Sequence, residues 1–243
     1  VFDEIGVEIA GPNWLQVRGV ETIDGDPFSR PTVPQSIVDQ LQLTPGVAGA
    51  EGVIQGFPRV SFGETLIDPP GATPTLAFNF DEGDELTRFQ TLDGRAPSEG
   101  EAMVDIDTAE RYGISIDDTI TIRSLGPAED FRVSGITRWG LDNGSGAVFV
   151  LIDTATAQRL FNYPDSYRAV TVGPQTGIDE EQLATRLTSD LPSGFEAVTS
   201  TVVASEFSEQ FDTFITIFQN ALLVFAAVAL VVSSFIINNT FAI

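Results

Sequence analysis

Short apolar runs alternate with polar turns through most of this chain, and the pattern changes only near its C-terminus. Residues 7–9 and 14–17 read as strands, and residues 35–43 carry helical spacing after Pro34 that Thr44-Pro45-Gly46 halts. Residues 53–62 predict one long strand bent at Gly56 and Pro58, and the Asp68-Pro69-Pro70-Gly71 and Thr73-Pro74 steps mark a connector. Beyond it, residues 76–80, 102–105, 119–123 and 131–137 predict short strands, interrupted by a brief helix near 108–112. From Ala147 the first pattern returns: strand 148–152, helix 155–161, strand 167–172, helix 179–191 and strand 195–199. Asp179 before Glu180-Glu181 brings acid to that last helix's first turn, where the helix dipole favours it.

The pattern predicts an α+β fold. A βαβ-type core domain, built from residues 1–70 and 146–201, carries a β-rich inserted subdomain over 71–145. After it the periodicity becomes purely helical. Phe207, Phe211, Phe214 and Phe218 fall on one sector of a helical wheel, with Glu206, Glu209 and Asp212 opposite, which predicts a two-faced stalk helix over 202–214. No Pro or Gly lies beyond Val202 to break it. Residues 213–243 hold no charge at all, and the 23 residues 215–237 form an apolar run whose polar members are Thr216, Gln219, Asn220, Ser233 and Ser234. As a helix the run extends about 35 Å, enough to cross a hydrocarbon core of about 30 Å. It reads as a transmembrane helix continuous with the stalk, with 238–243 beginning the far side.

Composition narrows the chemistry. The net charge of −23 argues against nucleic acid and anionic lipid headgroups as partners, since both would be repelled. All 12 basic residues are Arg, so a phosphate-binding loop that needs Lys is excluded. Cys and His are absent, which removes disulfides, thiol catalysis, the Ser-His-Asp triad and most zinc sites. Catalysis would need carboxylates.

Two stretches invite that reading, Ile106-Asp107-Thr108-Ala109 and Ile152-Asp153-Thr154-Ala155, which echo the paired Asp-Thr-Gly loops of aspartic proteases. Each has Ala where the tight loop needs Gly, and each precedes a helical stretch, so Asp107 and Asp153 read better as helix N-caps. The acidic run Asn79-Phe80-Asp81-Glu82-Gly83-Asp84-Glu85, like Asp24-Gly25-Asp26 and Asp142-Asn143-Gly144-Ser145, lacks the ligand spacing of a calcium loop and reads as solvated turn. No catalytic, cofactor-binding or metal-binding residue is assigned, no cofactor is expected, and the chain is not read as an enzyme.

Asn13-Trp14-Leu15-Gln16-Val17-Arg18-Gly19, the block Gly100-Glu101-Ala102-Met103-Val104-Asp105 leading to Thr108-Ala109-Glu110-Arg111-Tyr112-Gly113-Ile114, and Asp118-Thr119-Ile120-Thr121-Ile122 resemble the extracytoplasmic core domain of FtsX-like, MacB-type ABC transporter permeases. Phe131-Arg132-Val133-Ser134-Gly135-Ile136, Gly146-Ala147-Val148-Phe149-Val150 and Thr154-Ala155-Thr156-Ala157-Gln158-Arg159-Leu160-Phe161 continue the likeness in family order. The run from Asn220 to Phe241 is similar to the second membrane helix of such permeases. One departure is Asp117, where the family commonly has Gly. The resemblance implies a permease fragment that couples ATP hydrolysis by a separate cytoplasmic ATPase to movement of the outer domain, for export, lipoprotein or lipid handling, or signalling. It implies a second permease subunit as homo- or heterodimer partner, contact with membrane lipid, room for an extracytoplasmic accessory protein, and a plasma-membrane location with residues 1 to about 210 outside. The alternative is a membrane-anchored acidic binding module; a membrane-tethered carboxylate hydrolase is a third reading.

Overall fold

The computed structural model describes residues 14–23, 26, 29–71, 73–140 and 146–206, together with 219, 222–226, 228–230 and 232–233. The expected strand at 7–9 lies outside them. So do 207–214 of the stalk, the segment 238–243 and much of the 215–237 span. Among the described residues no helix is long and apolar enough to cross a membrane. Residues 11–200 form one compact unit, and the terminal segments 1–10 and 201–243 are grouped in another.

A small antiparallel sheet comes first and last in the sequence. Strands β1 (Leu15–Gly19) and, after the short β2 (Val33–Pro34) and helix α1 (Gln35–Gln42), β3 (Val47–Val53) open the unit. It is closed by β14 (Ala169–Pro174), helix α4 (Glu180–Asp190) and β15 (Phe195–Thr199). The strand order is β15-β1-β14-β3. β1 runs between β14 and β15 and antiparallel to both, so each helix crosses between parallel strands separated by a third, the split βαβ arrangement. Leu15, Val17, Val170 and Val172 face the helices, meeting Ile37, Val38 and Leu41 of α1 and Leu183 and Leu187 of α4 in the buried core. The free edge at β15 is blunted because the Thr188 hydroxyl of α4 accepts the Ala197 N–H at 2.9 Å, occupying a group that would otherwise invite strand pairing.

Between β3 and β14 the chain builds a second, nine-stranded sheet. Its strands are β4 (Gln55–Gly56), β5 (Arg59–Phe62), β6 (Thr65–Leu66), β7 (Thr75–Asn79), β8 (Phe89–Gly94), β9 (Glu101–Asp105), β10 (Thr119–Arg123), β11 (Glu129–Trp139) and β12 (Val148–Ile152). Helices α2 (Ile106–Tyr112) and α3 (Thr154–Phe161) cover one face, and β13 (Ser166–Tyr167) pairs with β2. β9 and β12 lie in the middle and are buried throughout. Alternation then splits them: Val104, Val150 and Ile152 join the helix-side core, whereas Met103, Phe149 and Leu151 face an aromatic cluster with Phe78, Phe89 and Trp139 on the other side. The class is mixed α+β, as expected. Strands on either side of residues 71–145 also belong to this sheet, since β4, β5, β6 and β12 all pair within it.

The expected single strand over 53–62 is broken at Ile54, where the chain leaves β3, and again at Phe57-Pro58, where Pro cannot donate to a ladder. At Gly52 of β3 an added Cβ would lie 2.2 Å from the Tyr167 ring, so this strand position must stay small. The same holds for Gly56, where an added Cβ would lie 2.1 Å from the Phe161 ring.

The chain crosses from the small sheet to the large one at the fully buried Ile54. Asn79, the last residue of β7, holds this crossing with its side-chain amide. Its oxygen accepts the Ile54 N–H at 2.7 Å, and its nitrogen donates to the Gly52 carbonyl at 2.8 Å and the Thr154 hydroxyl at 2.9 Å. Replacing Asn79 by Ala strands these groups in a half-buried place, so Asn79→Ala is expected to lower stability by about 2 kcal/mol in urea unfolding. An unchanged midpoint would mean that water replaces the amide.

Candidate functional site

The repeated Asp-Thr-Ala stretches lie where two central strands turn into helices, but the structural repeat is offset from the sequence repeat. Asp153 caps α3, its Oδ1 accepting the Thr156 N–H at 3.0 Å. The cap of α2 is Asp105 and not Asp107. Asp105 Oδ1 accepts the Thr108 N–H at 3.0 Å, and Asp107 sits within the helix's first turn. The strand ends at Asp105, so the helix starts two residues earlier than the Asp-Thr-Ala match suggests. The true repeat is Asp105-x-x-Thr108-Ala109-x-Arg111 and Asp153-x-x-Thr156-Ala157-x-Arg159, with both Thr and both Ala buried under their helices.

These carboxylates do not form a pair. β9 and β12 are antiparallel with Val104 opposite Val150, so Asp105 lies beside Phe149 and Asp153 lies about four residues, or about 13 Å, further along. Asp105 is fully buried, and its second oxygen accepts the Phe149 N–H at 2.9 Å. The shared-proton geometry of an aspartic protease is therefore not assembled by this pair.

The acidic turn after β7 is also tied to backbone. Asp81 Oδ1 accepts the Thr154 N–H at 3.1 Å, and Glu51 Oε1 on β3 accepts the N–H groups of Glu85 at 2.8 Å and Leu86 at 3.0 Å. Among the described residues no group of three or more acidic side chains is arranged to hold a metal ion. A hollow of about 300 Å³ beside the turn is lined by Phe80, Asp81, Gly83, Thr91, Arg95 and Pro97.

Arginines satisfy other buried acids. Glu101 on β9 is held by Arg95, at 2.6 Å, and by Arg132 of β11, so its carboxyl stays below the usual carboxylate range, chiefly through the Arg95 hydrogen bond. Its stabilisation is present above the ordinary value of 4.5 and is lost as pH falls below it. Arg132 also pairs with Asp117 at 2.7 Å. Asp117 has φ 74, a left-handed conformation that costs an L side chain and suits Gly, the residue that the resemblance leads one to expect here.

The feature with the clearest functional geometry joins the domain's two ends. β1 and β15 are antiparallel neighbours, with Leu15 opposite Thr199, and the Ser200 N–H donates to the Trp14 carbonyl at 3.0 Å. The chain therefore enters and leaves the compact unit side by side. At the other end of the same ladder the buried Arg18 meets Glu196 at 2.9 Å, and Arg30 links Glu196, at 2.9 Å, to Glu21, at 2.6 Å. Beyond the ladder residues 200–206 are helical. Two segments moving together would carry the small sheet as a body, whereas moving apart they would unzip β1 from β15 one hydrogen bond at a time. Sequence reading did not single out Arg18, Arg30, Glu21 or Glu196 as a group, since their spacing of up to 178 positions leaves no local signal.

Residues 4–190 match the family described as MacB-like periplasmic core domain. Among solved structures, the periplasmic region of MacB from Actinobacillus actinomycetemcomitans is similar, with a TM-score of 0.61 at 13% identity over 83% of this chain and 95% of that one. The extracellular domain of the noncanonic ABC-type transporter YknZ from Gram-positive bacteria gives a TM-score of 0.55 at 13% identity, covering 77% of this chain and 100% of that one. At these identities the likeness is one of fold. The search among curated proteins found no match.

The caps make a contrast that stability measurements can read. Both Asp105 oxygens accept N–H groups, so an Asn there must point its own NH2 at a donor, whereas the second Asp153 oxygen has no partner. Asp105→Asn is expected to cost about 2 kcal/mol in thermal or urea unfolding and Asp153→Asn close to nothing, because Asn caps about as well as Asp. Equal losses at the two positions would contradict the assignment.

Proposed function

Because this chain belongs to the MacB-like periplasmic core domain family, an extracytoplasmic domain of FtsX/MacB-type ABC transporter permeases, we propose that it is the outer domain and following membrane helix of a permease subunit that moves in response to ATP hydrolysis by a separate cytoplasmic ATPase. The observation that carries this reading is the side-by-side exit of the chain at Trp14 and Ser200. A domain tethered by two adjacent strands at one end can be swung or clamped from below without being unfolded, provided that its two tethers travel together. The stalk over 202–214 and the span over 215–237 supply the second tether. In support, the described positions of that span are helical, and Leu222, Leu223, Phe225 and Leu230 are more than half exposed, as lipid-facing side chains are outside a bilayer. The subunit works beside a second permease subunit, as homo- or heterodimer, contacts membrane lipid through 215–237 and presents its acidic domain outside the plasma membrane to cargo or an accessory protein. ATP chemistry resides in the partner, and the permease chain contributes motion for export, lipoprotein or lipid handling, or signalling.

Topology tests the first half of this reading. In intact cells, cysteines introduced before Glu206 are expected to react with an impermeant thiol reagent and cysteines introduced after Asn238 are not. Reaction from the inner side at both would overturn the orientation. Coupling tests the second half. Inserting Gly-Gly-Ser-Gly near Phe211 adds flexible chain and turns the Phe stripe away from its register. The outer domain is expected to remain folded and the ATPase to keep its basal hydrolysis, while transport or signalling by the complex is abolished. Full activity after the insertion would point instead to an anchored binding module, which needs attachment and not stiffness.

A further inference from the structure

The turn between β7 and β8 reaches back onto the small sheet. Within it the Asp84 N–H donates to the Asp81 carbonyl at 3.3 Å, the Asp81 N–H donates to Asp84 Oδ2 at 2.8 Å, and Gly83 takes φ 98. Asp81 is anchored to the N-terminus of α3 through the Thr154 N–H, where the helix dipole favours its charge. Glu51 of β3 holds the Glu85 and Leu86 N–H groups. The Leu86 side chain rests over Gly49 and Gly173 of adjacent strands, and a Cβ at Gly173 would lie 2.7 Å from it. One carboxylate thus fastens the turn to the small sheet, and a second fastens it to α3.

Glu51 and Asp81 each accept backbone N–H groups. Asp84 is the weak member of the three. It is half-buried, accepts one backbone N–H, and feels the negative charges of Glu51 and Asp81. Tyr167 of β13 also lies close enough to feel Asp81 and Asp84, but its phenol is pushed up by burial and stays neutral. Arg168, next in the chain, has an interaction of its own. Glu82 and Glu85, on the turn itself, add further acid.

We propose that residues 81–86 form a proton-operated latch between the two sheets. With Asp84 protonated, Glu51 keeps hold of the Glu85 and Leu86 amides and Leu86 stays in its glycine seat. With Asp84 ionised, repulsion between Asp84 and Glu51 lifts the turn, releasing the Glu85 and Leu86 amides and unseating Leu86 from the small sheet. Burial, followed by the charges of Glu51 and Asp81, pushes the Asp84 carboxyl up to about 6 from its ordinary 3.8. The fold disfavours the ionised form, so this contribution to stability is complete below 3.8 and is lost as pH rises through about 6.

Hydrogen–deuterium exchange on the intact protein, read at Glu85 and Leu86 and corrected for the intrinsic pH dependence of exchange, tests the latch. Protection at these amides is expected to be about tenfold or more higher at pH about 5 than at pH about 7.5. Asp84→Asn keeps an oxygen for the Asp81 N–H and removes the charge, so its protection is expected to stay at the closed level at both pH values. Glu51→Gln is expected to lower protection at both. A wild-type protein with no pH dependence at these amides, or an Asp84→Asn protein that retains it, would overturn the proposal. Carbon-13 titration of the wild-type Asp84 carboxyl decides the matter without any variant: a midpoint near 6 coinciding with the exchange transition supports the latch, and one below about 5 overturns it.

Discussion

The architecture depends on one crossing, where the backbone leaves the small sheet at Ile54 to found the large one. A chain that changes sheets must interrupt both ladders, and interrupted ladders leave backbone groups without partners. Asn79 supplies the missing partners. Its amide accepts from Ile54 and donates to Gly52 and Thr154, so one side chain ties the end of β3, the end of β7 and the start of α3 together. Asp81, two residues on, takes the Thr154 N–H as well. The relation between the two sheets thus rests on a few polar contacts laid over a shared apolar core.

The same economy explains how a chain with a net charge of −23 accommodates its acids. Asp105, Asp153 and Asp179 cap α2, α3 and α4 by accepting N–H groups three residues on. At a helix start a negative charge is stabilised by the dipole, so these acids lower the energy of the fold in place of repelling one another. Glu101, Glu129 and Glu196 meet arginines instead. Arg can fork toward two acceptors at once, as Arg30 does between Glu21 and Glu196, which suits a protein whose acids outnumber its bases.

If the domain is moved from the membrane side, as proposed above, the consequence lies in the β1–β15 ladder. Its open end carries both connections of the compact unit, and its closed end carries the Arg18–Glu196 pair. Hydrogen bonds between adjacent strands resist sliding together far better than they resist being peeled one at a time. On that proposal the ladder would favour concerted displacement of the two connections, with the small sheet carrying the larger one.

Much of this was legible in the chain, because local periodicity and capping are local physics. Strands at 119–123, 148–152 and 195–199 coincide with their apolar patterns, and the helices at 35–42, 154–161 and 180–190 follow their start and stop signals to within a residue or two. The cap at Asp153 could be read from its local sequence, whereas Asp179, read as acid within the first turn of a helix over 179–191, is that helix's cap. Strand β3 could not be so read, because its Gly52 is dictated by the Tyr167 ring, which arrives from elsewhere in the chain. Nor could the cap at Asp105, since only the end of β9 decides which Asp begins the helix. The sequence by itself determined most of the strands and helices, where the apolar tail lies, and a likeness to its family. Tertiary structure alone decided that β12 joins the inserted sheet, that Arg18, Arg30 and Glu196 meet, and that Glu51 reaches the Glu85 and Leu86 amides. Pairing partners and charge neighbours are set by contacts between residues far apart in the chain, and no short stretch of sequence encodes both sides of such a contact.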